Sequence, residues 1–202
     1  MILGTARPAA TSRAWFDRDS LAVAHDLLGA RLVHRADHGT VGGRIVEVEA
    51  YSGPEDLAAH SSRGRTVRNE VMFGPPGHLY VYLIYGLHHC LNVVTGPGEK
   101  PEAVLIRALQ IDEGIEIARE RRGPRAADTR LAAGPGNLAR ALGVDRGLNG
   151  SDLLAGPVQV ERRSGPVPAM HSGPRVGVDY AGPWAARPMR FWIADDPSVS
   201  RG

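Results

Sequence analysis

LYVYLIYGLHHCLNVV, residues 79–94, decides the fold class of this 202-residue chain. Leu79 to Tyr85 is dense in tyrosine and apolar residues, a composition suited to a pleated surface. Gly86 punctuates the run, and a second strand is expected from His89 to Val94. Period-2 alternation puts Tyr80, Tyr82 and Ile84 on one face and Val81, Leu83 and Tyr85 on the other. Core packing accounts for tyrosines in a strand. Tyr85, however, directly precedes Gly86, where a turn projects a side chain off the sheet, so a buried aromatic and a protruding wedge are both open.

The same punctuation recurs outward from this segment. Upstream, Asp19 or Ser20 caps a short helix through Leu28, with Gly29 placed to end it. Strands are expected at Arg31 to His34 and at Val41 to Tyr51, joined by a turn at Asp37-His38-Gly39. Downstream come a strand from Val104 to Leu109, a helix from Asp112 to Arg122 closed by Gly123, and a short helix around Leu138 to Leu142. Further strands are expected at Val158 to Glu161 and at Met189 to Ala194. Strands interleave with short helices at hairpin spacing rather than in βαβ units. The expectation is a single α+β domain over residues 14–196, with loose tails at 1–13 and 197–202. Its curved, mainly antiparallel, barrel-like sheet is flanked by short helices and carries a protruding β-hairpin.

Hydrophobic residues at 43% and charged residues at 23% exclude wholesale disorder. No apolar run is long enough to span a membrane, and the start of the chain lacks the pattern of a signal peptide. A soluble cytoplasmic protein is expected. Cys90 is the only cysteine, so no intramolecular disulfide forms, and its neighbours Leu87 and Leu91 favour an inert buried thiol over a nucleophile. The net charge is +2, with Lys100 the single lysine among many arginines. Arginine suits phosphate and base recognition, but GC-rich coding produces the same bias, so composition alone assigns no partner.

A second segment, RIVEVEAY (44–51), carries the chemistry. Alternation sets Val46, Val48 and Ala50 on one face and Glu47, Glu49 and Tyr51 on the other. Taken by itself, this is a half-buried strand with a solvated acidic face. The polar stretch from His60 to Asn69 adds Arg63, Arg65 and Arg68, which read either as phosphate contacts or as a solvated surface.

The run IVEVEAYSGPEDLAAHSSRGRTVRNEVMFGPPGHLYVYLIYGLHHCLNVV closely resembles the alkyladenine (3-methyladenine) DNA glycosylase family. VLIRALQ, AAGPGNLARALG and RVGVDYAGPW…RPMRFW continue the match in the same order, from about Phe16 to Trp192. The resemblance implies an enzyme that flips an alkylated or deaminated purine out of duplex DNA and hydrolyses its glycosidic bond, leaving an abasic site. It implies Glu49 as the general base for water, with Arg107 and the backbone carbonyl of Val178 as further water ligands. Tyr51 matches an aromatic stacking on one face of the flipped base, with His60 and Tyr82 lining the other. Asn92 matches the residue that crowds the amino group of guanine, and Tyr85 the residue that intercalates in the duplex gap. Arg63, Arg65 and Arg68 then read as backbone contacts, and the helix beginning near Gly136 offers N–H groups to a phosphate. Asn137 stands where relatives usually carry lysine, and His88-His89 where they are often aromatic. Glu47 has no catalytic counterpart and is expected to be structural.

No cofactor or metal is expected, nor Schiff-base lyase chemistry, since no lysine lies in the matched pocket. The expected partner is damaged double-stranded DNA, met by a monomer at the nucleoid. Two alternatives compete. A metal-dependent hydrolase would draw on His60, His78, His88, His89 and Cys90, whose spacing fits no familiar ligand pattern. A non-catalytic nucleic-acid binding module would have no need of Glu49, a carboxylate that repels phosphate.

Overall fold

The longest strand of the molecule begins where Asp37 and His38 turn the chain, and it organises everything around it. In the computed structural model, which describes residues 11–97 and 100–201, β1 (Arg31–Ala36) and β2 (Gly39–Tyr51) form this first hairpin. Then follow β3 (Leu79–Ile84), β4 (His88–Thr95), β5 (Glu102–Glu113), β6 (Ala132–Ala133), β7 (Val158–Glu161), β8 (Met170–Gly173) and β9 (Arg190–Ile193). The helices are α1 (Arg13–Phe16), α2 (Ser20–Leu27), α3 (Ile115–Arg122) and α4 (Pro135–Leu142). Asp19 caps α2 by accepting the Leu21 N–H, and Gly29 follows with φ of 79°.

All named strand pairs are antiparallel, in the order β3-β4-β5-β2-β1-β7, with β6 on β5. One edge of β2 pairs with β5. The other edge pairs with β1 over Gly39–Arg44 and then with β9 over Glu47–Glu49. Register shifts at Gly42/Gly43 and around Glu47 bend β2 at this change of partner. The α+β class and the antiparallel sheet stand as expected, but the sheet is not a closed barrel, since the terminal strands β3 and β7 do not pair. The outer edge of β3 is met by a loop instead: Leu79 N–H donates to the Ser151 carbonyl, and Asn149 Oδ1 accepts the Val81 N–H.

Burial on both faces of the central strands sets the energetics. Val46, Val48 and Ala50 pack into the main core with Leu27, Leu32, Leu91, Ile106 and Leu138. The opposite face is covered as well. Glu47 and Glu49 are both 0% exposed, which replaces the expected solvated acidic face.

Other boundaries also move. Asp112 and Glu113 belong to β5 rather than to a helix, because Glu113 pairs with Gly42 across the bulge of β2. β8 was not anticipated, having no apolar run of its own, and it pairs only with β9. The expected loose tails need correcting where they are described; residues 1–10 and 202 lie outside that range. Arg13 pairs with Asp152 at 2.7 Å, and Thr11 Oγ1 donates to the Val160 carbonyl. At the other end Ser198 is fully buried, and Ser200 is bonded to Glu47 through both its N–H and its hydroxyl. No helix among the described residues is long and apolar enough to cross a membrane.

Candidate active site

Strand register assembles the site. Tyr80 is paired with Asn92, Asn92 with Leu105, Leu105 with Glu49, and Glu49 with Arg190, a row across β3, β4, β5, β2 and β9. Paired residues share a face, and residues two along share it too. Tyr82, Cys90, Arg107 and Tyr51 therefore join the row, and all of them except Arg190 line one cavity of about 360 Å³. That volume lies in the range of small-ligand pockets.

Glu49 is sealed at its base. Oε1 accepts the Val176 N–H at 2.8 Å and lies 3.2 Å from Arg107 Nη1, while Oε2 accepts the Tyr51 hydroxyl at 2.9 Å. Burial pushes the carboxyl above its usual range. Arg107, the Val176 N–H and the Tyr51 hydroxyl pull it down, and Glu47 pushes it up again. Burial and the Glu49 charge hold the Tyr51 phenol well above 10, so it stays a donor.

Tyr51 is braced from behind. The Arg175 guanidinium carbon lies 4.6 Å from its ring centroid, and Arg175 is itself tied to Asp56, with Nη2 to Oδ1 at 2.8 Å. Asp56 also accepts the N–H groups of Ser52 and Ala58, so this carboxylate shapes the loop and anchors Arg175 besides.

His60 opens a single 3-10 turn over His60–Arg63, with its ring centroid 4.7 Å from that of Tyr82. Its Nδ1 lies 2.8 Å from the Tyr80 hydroxyl, and burial together with Arg68 and Arg63 pushes its pKa down to about 4, leaving a neutral imidazole at pH 7. Asn69 fixes the turn by donating to the His60 and Gly64 carbonyls. Asn92 is buried, with Nδ2 donating to the Tyr80 carbonyl at 3.0 Å. Cys90 is buried in the cavity wall, and burial raises its thiol pKa.

At the mouth, Tyr85 is 85% exposed, which removes the core reading of this residue. Leu87 N–H donates to the Ile84 carbonyl, closing a turn in which both central residues have positive φ, Tyr85 at 53° and Gly86 at 67°. The three arginines differ. Arg68 donates to the Leu83 carbonyl and sits 5.1 Å from the Tyr82 ring, whereas Arg65 is paired with Glu70 at 2.7 Å. Arg63 is exposed with no carboxylate partner among the described residues. Asn137 donates to the Ala133 carbonyl, closing the turn that starts α4, and Pro135 reaches the cavity.

Glu49, Arg107, Tyr51, His60, Tyr82, Asn92, Tyr85, Arg68 and Val178 thus line one cavity. Arg63 and Arg65 do not line it. The Val178 carbonyl already accepts the Ala181 N–H, and the backbone group that touches Glu49 belongs to Val176. Tyr80 was missed as a site residue, although it shares the face of Tyr82. Val176 and Arg175 carried no comparable signal. Among the described residues, no three His, Cys, Asp or Glu side chains gather as a metal-ligand set.

The family model described as Methylpurine-DNA glycosylase (MPG) matches residues 14–197. A Streptomyces avermitilis protein named "Putative 3-methyladenine DNA glycosylase" is 50% identical over 194 residues, covering 94% of this chain and 90% of its own. Proteins of the same name from Methanocella arvoryzae and Myxococcus xanthus are 50% and 48% identical, each over 94% of this chain and over 94% and 92% of their own. With its buried carboxylate beneath an aromatic-walled cavity and matches of this extent, the chain belongs to the methylpurine-DNA glycosylase family and is a DNA glycosylase.

Proposed function

We propose that the protein extrudes an alkylated or deaminated purine from duplex DNA into this cavity and hydrolyses the bond to its sugar. The observation that carries the reading is Glu49: a fully buried carboxylate at the floor of an aromatic-walled cavity that opens at the mouth. A structural carboxylate has no reason to line a cavity. A base that must deprotonate water does.

In this reading Tyr51 stacks on one face of the base, and Tyr82 with His60 closes on the other. Stacking tolerates several lesions because cationic and electron-poor rings both bind well to tyrosine. Neutral His60 adds no charge to oppose a cationic base. Asn92, held by the Tyr80 carbonyl, crowds the amino group of guanine. Glu49 accepts the proton of a water as its oxygen bonds to the anomeric carbon. The glycosidic electron pair leaves with the base, so a cationic alkylated purine departs neutral, while hypoxanthine departs as its anion and takes a proton from solvent water. Arg107 orients the carboxylate and the water, and the carboxylate also stabilises positive charge on the sugar. We assign the backbone contact in this segment to Val176, with Val178 as wall. Tyr85 fills the vacated stack, and Arg63 and Arg68 meet phosphate.

Glu49→Gln preserves shape and removes the proton acceptor. Single-turnover release from duplexes carrying one hypoxanthine or one 3-methyladenine is expected to fall by about 10²-fold or more, with lesion binding retained. A near wild-type rate would remove Glu49 from the mechanism.

A further inference from the structure

Glu47 is a fully buried carboxylate that accepts four hydrogen bonds, and the reaction as described does not use it. Its Oε1 accepts Arg107 Nε at 2.8 Å, Arg190 Nε at 2.7 Å and Ser200 Oγ at 2.9 Å, and its Oε2 accepts the Ser200 N–H at 2.7 Å. Arg107 Nη2 also donates to Ser200 Oγ at 3.2 Å. The same guanidinium reaches Glu49 through Nη1 alone. Arg107 is thus held edge-on to Glu47, with one nitrogen left for the reacting carboxylate.

We propose that Glu47 and Ser200 are positioning residues that hold Arg107 back from a bidentate pair with Glu49, leaving Glu49 available as a base. The inference rests on the reading of Glu49 given above. An arginine released from Glu47 would turn its fork onto the neighbouring carboxylate, because two parallel charge-assisted bonds are stronger than one. A carboxylate clamped that way is a weaker base and is turned from the water. Glu47 also contributes its own negative charge. The other titratable and charged groups around Glu49 are Tyr51 on its own strand, Arg175 from the segment after β8, and Tyr82 and Cys90 from the β3–β4 hairpin. None of these bonds to Glu47, but Arg190, paired with Glu49 across β2 and β9, does, so a change at Glu47 reaches Glu49 through Arg107, through Arg190 and through space.

The test is the pH dependence of single-turnover base release from a duplex carrying one hypoxanthine, for wild type, Glu47→Gln and Ser200→Ala, with lesion affinity and melting temperature measured alongside. Wild-type release should rise with pH through an acid limb set by Glu49. Removing the Glu47 charge and freeing Arg107 both lower the proton affinity of Glu49. The limb should therefore move to lower pH, while the plateau rate falls roughly tenfold to a hundredfold and affinity holds. Ser200→Ala leaves the carboxylate in place, should move the limb the same way by less, and carries the test if Glu47→Gln does not fold. Limbs that superimpose on wild type, whatever the loss in melting temperature, would overturn the proposal and leave Glu47 a structural ion pair. A wild-type protein that releases no purine, or a Glu49→Gln variant that still does, would instead defeat the functional reading itself.

Discussion

Tyr85 holds a backbone conformation that glycine or asparagine adopts more cheaply. Its φ of 53° places a bulky L-residue in the left-handed region, at a cost of roughly 1–2 kcal/mol. Strain of this kind persists where a side chain is wanted for something other than folding. Tyr85→Gly is expected to leave stability within about 1 kcal/mol of wild type, whereas truncating a buried aromatic costs about 3–5 kcal/mol. Lesion-duplex affinity should fall in the same variant. Thermal melting and duplex binding on one preparation check both halves, and a large drop in melting temperature with unaltered binding would contradict the wedge role. In sequence, the dipeptide Tyr85-Gly86 marked the place but not the exposure, since alternation gives a face and not what covers it. For Glu49 the alternation gave only a face shared with Glu47 and Tyr51, which by itself reads as solvated, and its candidacy as a base came from the family resemblance.

At the scale of elements, β2 shows where local pattern stops informing. An alternating run with glutamates on one face reads as half-solvated, yet both faces are dry. The groups that make this possible are Arg107 on β5, Arg190 on β9 and Ser200, which lie 60, 143 and 153 residues beyond Glu47. No window of the sequence contains them together. The extra length of β5 escaped for a related reason, because Asp112 and Glu113 look helical until the bulge of β2 supplies a pairing partner. That bulge makes its own demand. A Cβ on Gly43 would run into the Gln110 carbonyl across the strand pair. Gly43→Ala should therefore destabilise the protein by about 1–3 kcal/mol, as overpacking does. For a chain of this size, each kcal/mol lowers the melting temperature by roughly 2–4 °C. An unchanged melting temperature would mean that the β2–β5 pair relaxes freely at this point.

Across the whole molecule, a net charge of +2 gives little general attraction to DNA, so the proposed reading puts affinity on arginines near the cavity. Their environments rank them. Arg63→Gln should lower the slope of log affinity against log salt by about one, while Arg65→Gln should change it less, because Glu70 already offsets that charge. Fluorescence anisotropy on a lesion duplex across a salt series measures both, and equal slopes for the two variants would show that the Glu70 pair opens on binding. The tight seating of Ser200 on Glu47 has a temporal consequence. Ribosomes deliver Glu47 153 residues before Ser200, so throughout that interval the nascent chain carries a carboxylate whose final donors do not yet exist. The sheet can collapse in that interval, but under the positioning proposal the alignment of Arg107 with Glu49 waits for the segment around Ser200 to emerge. Under the positioning proposal, chemical competence thus comes later than the folding of the sheet that frames the cavity.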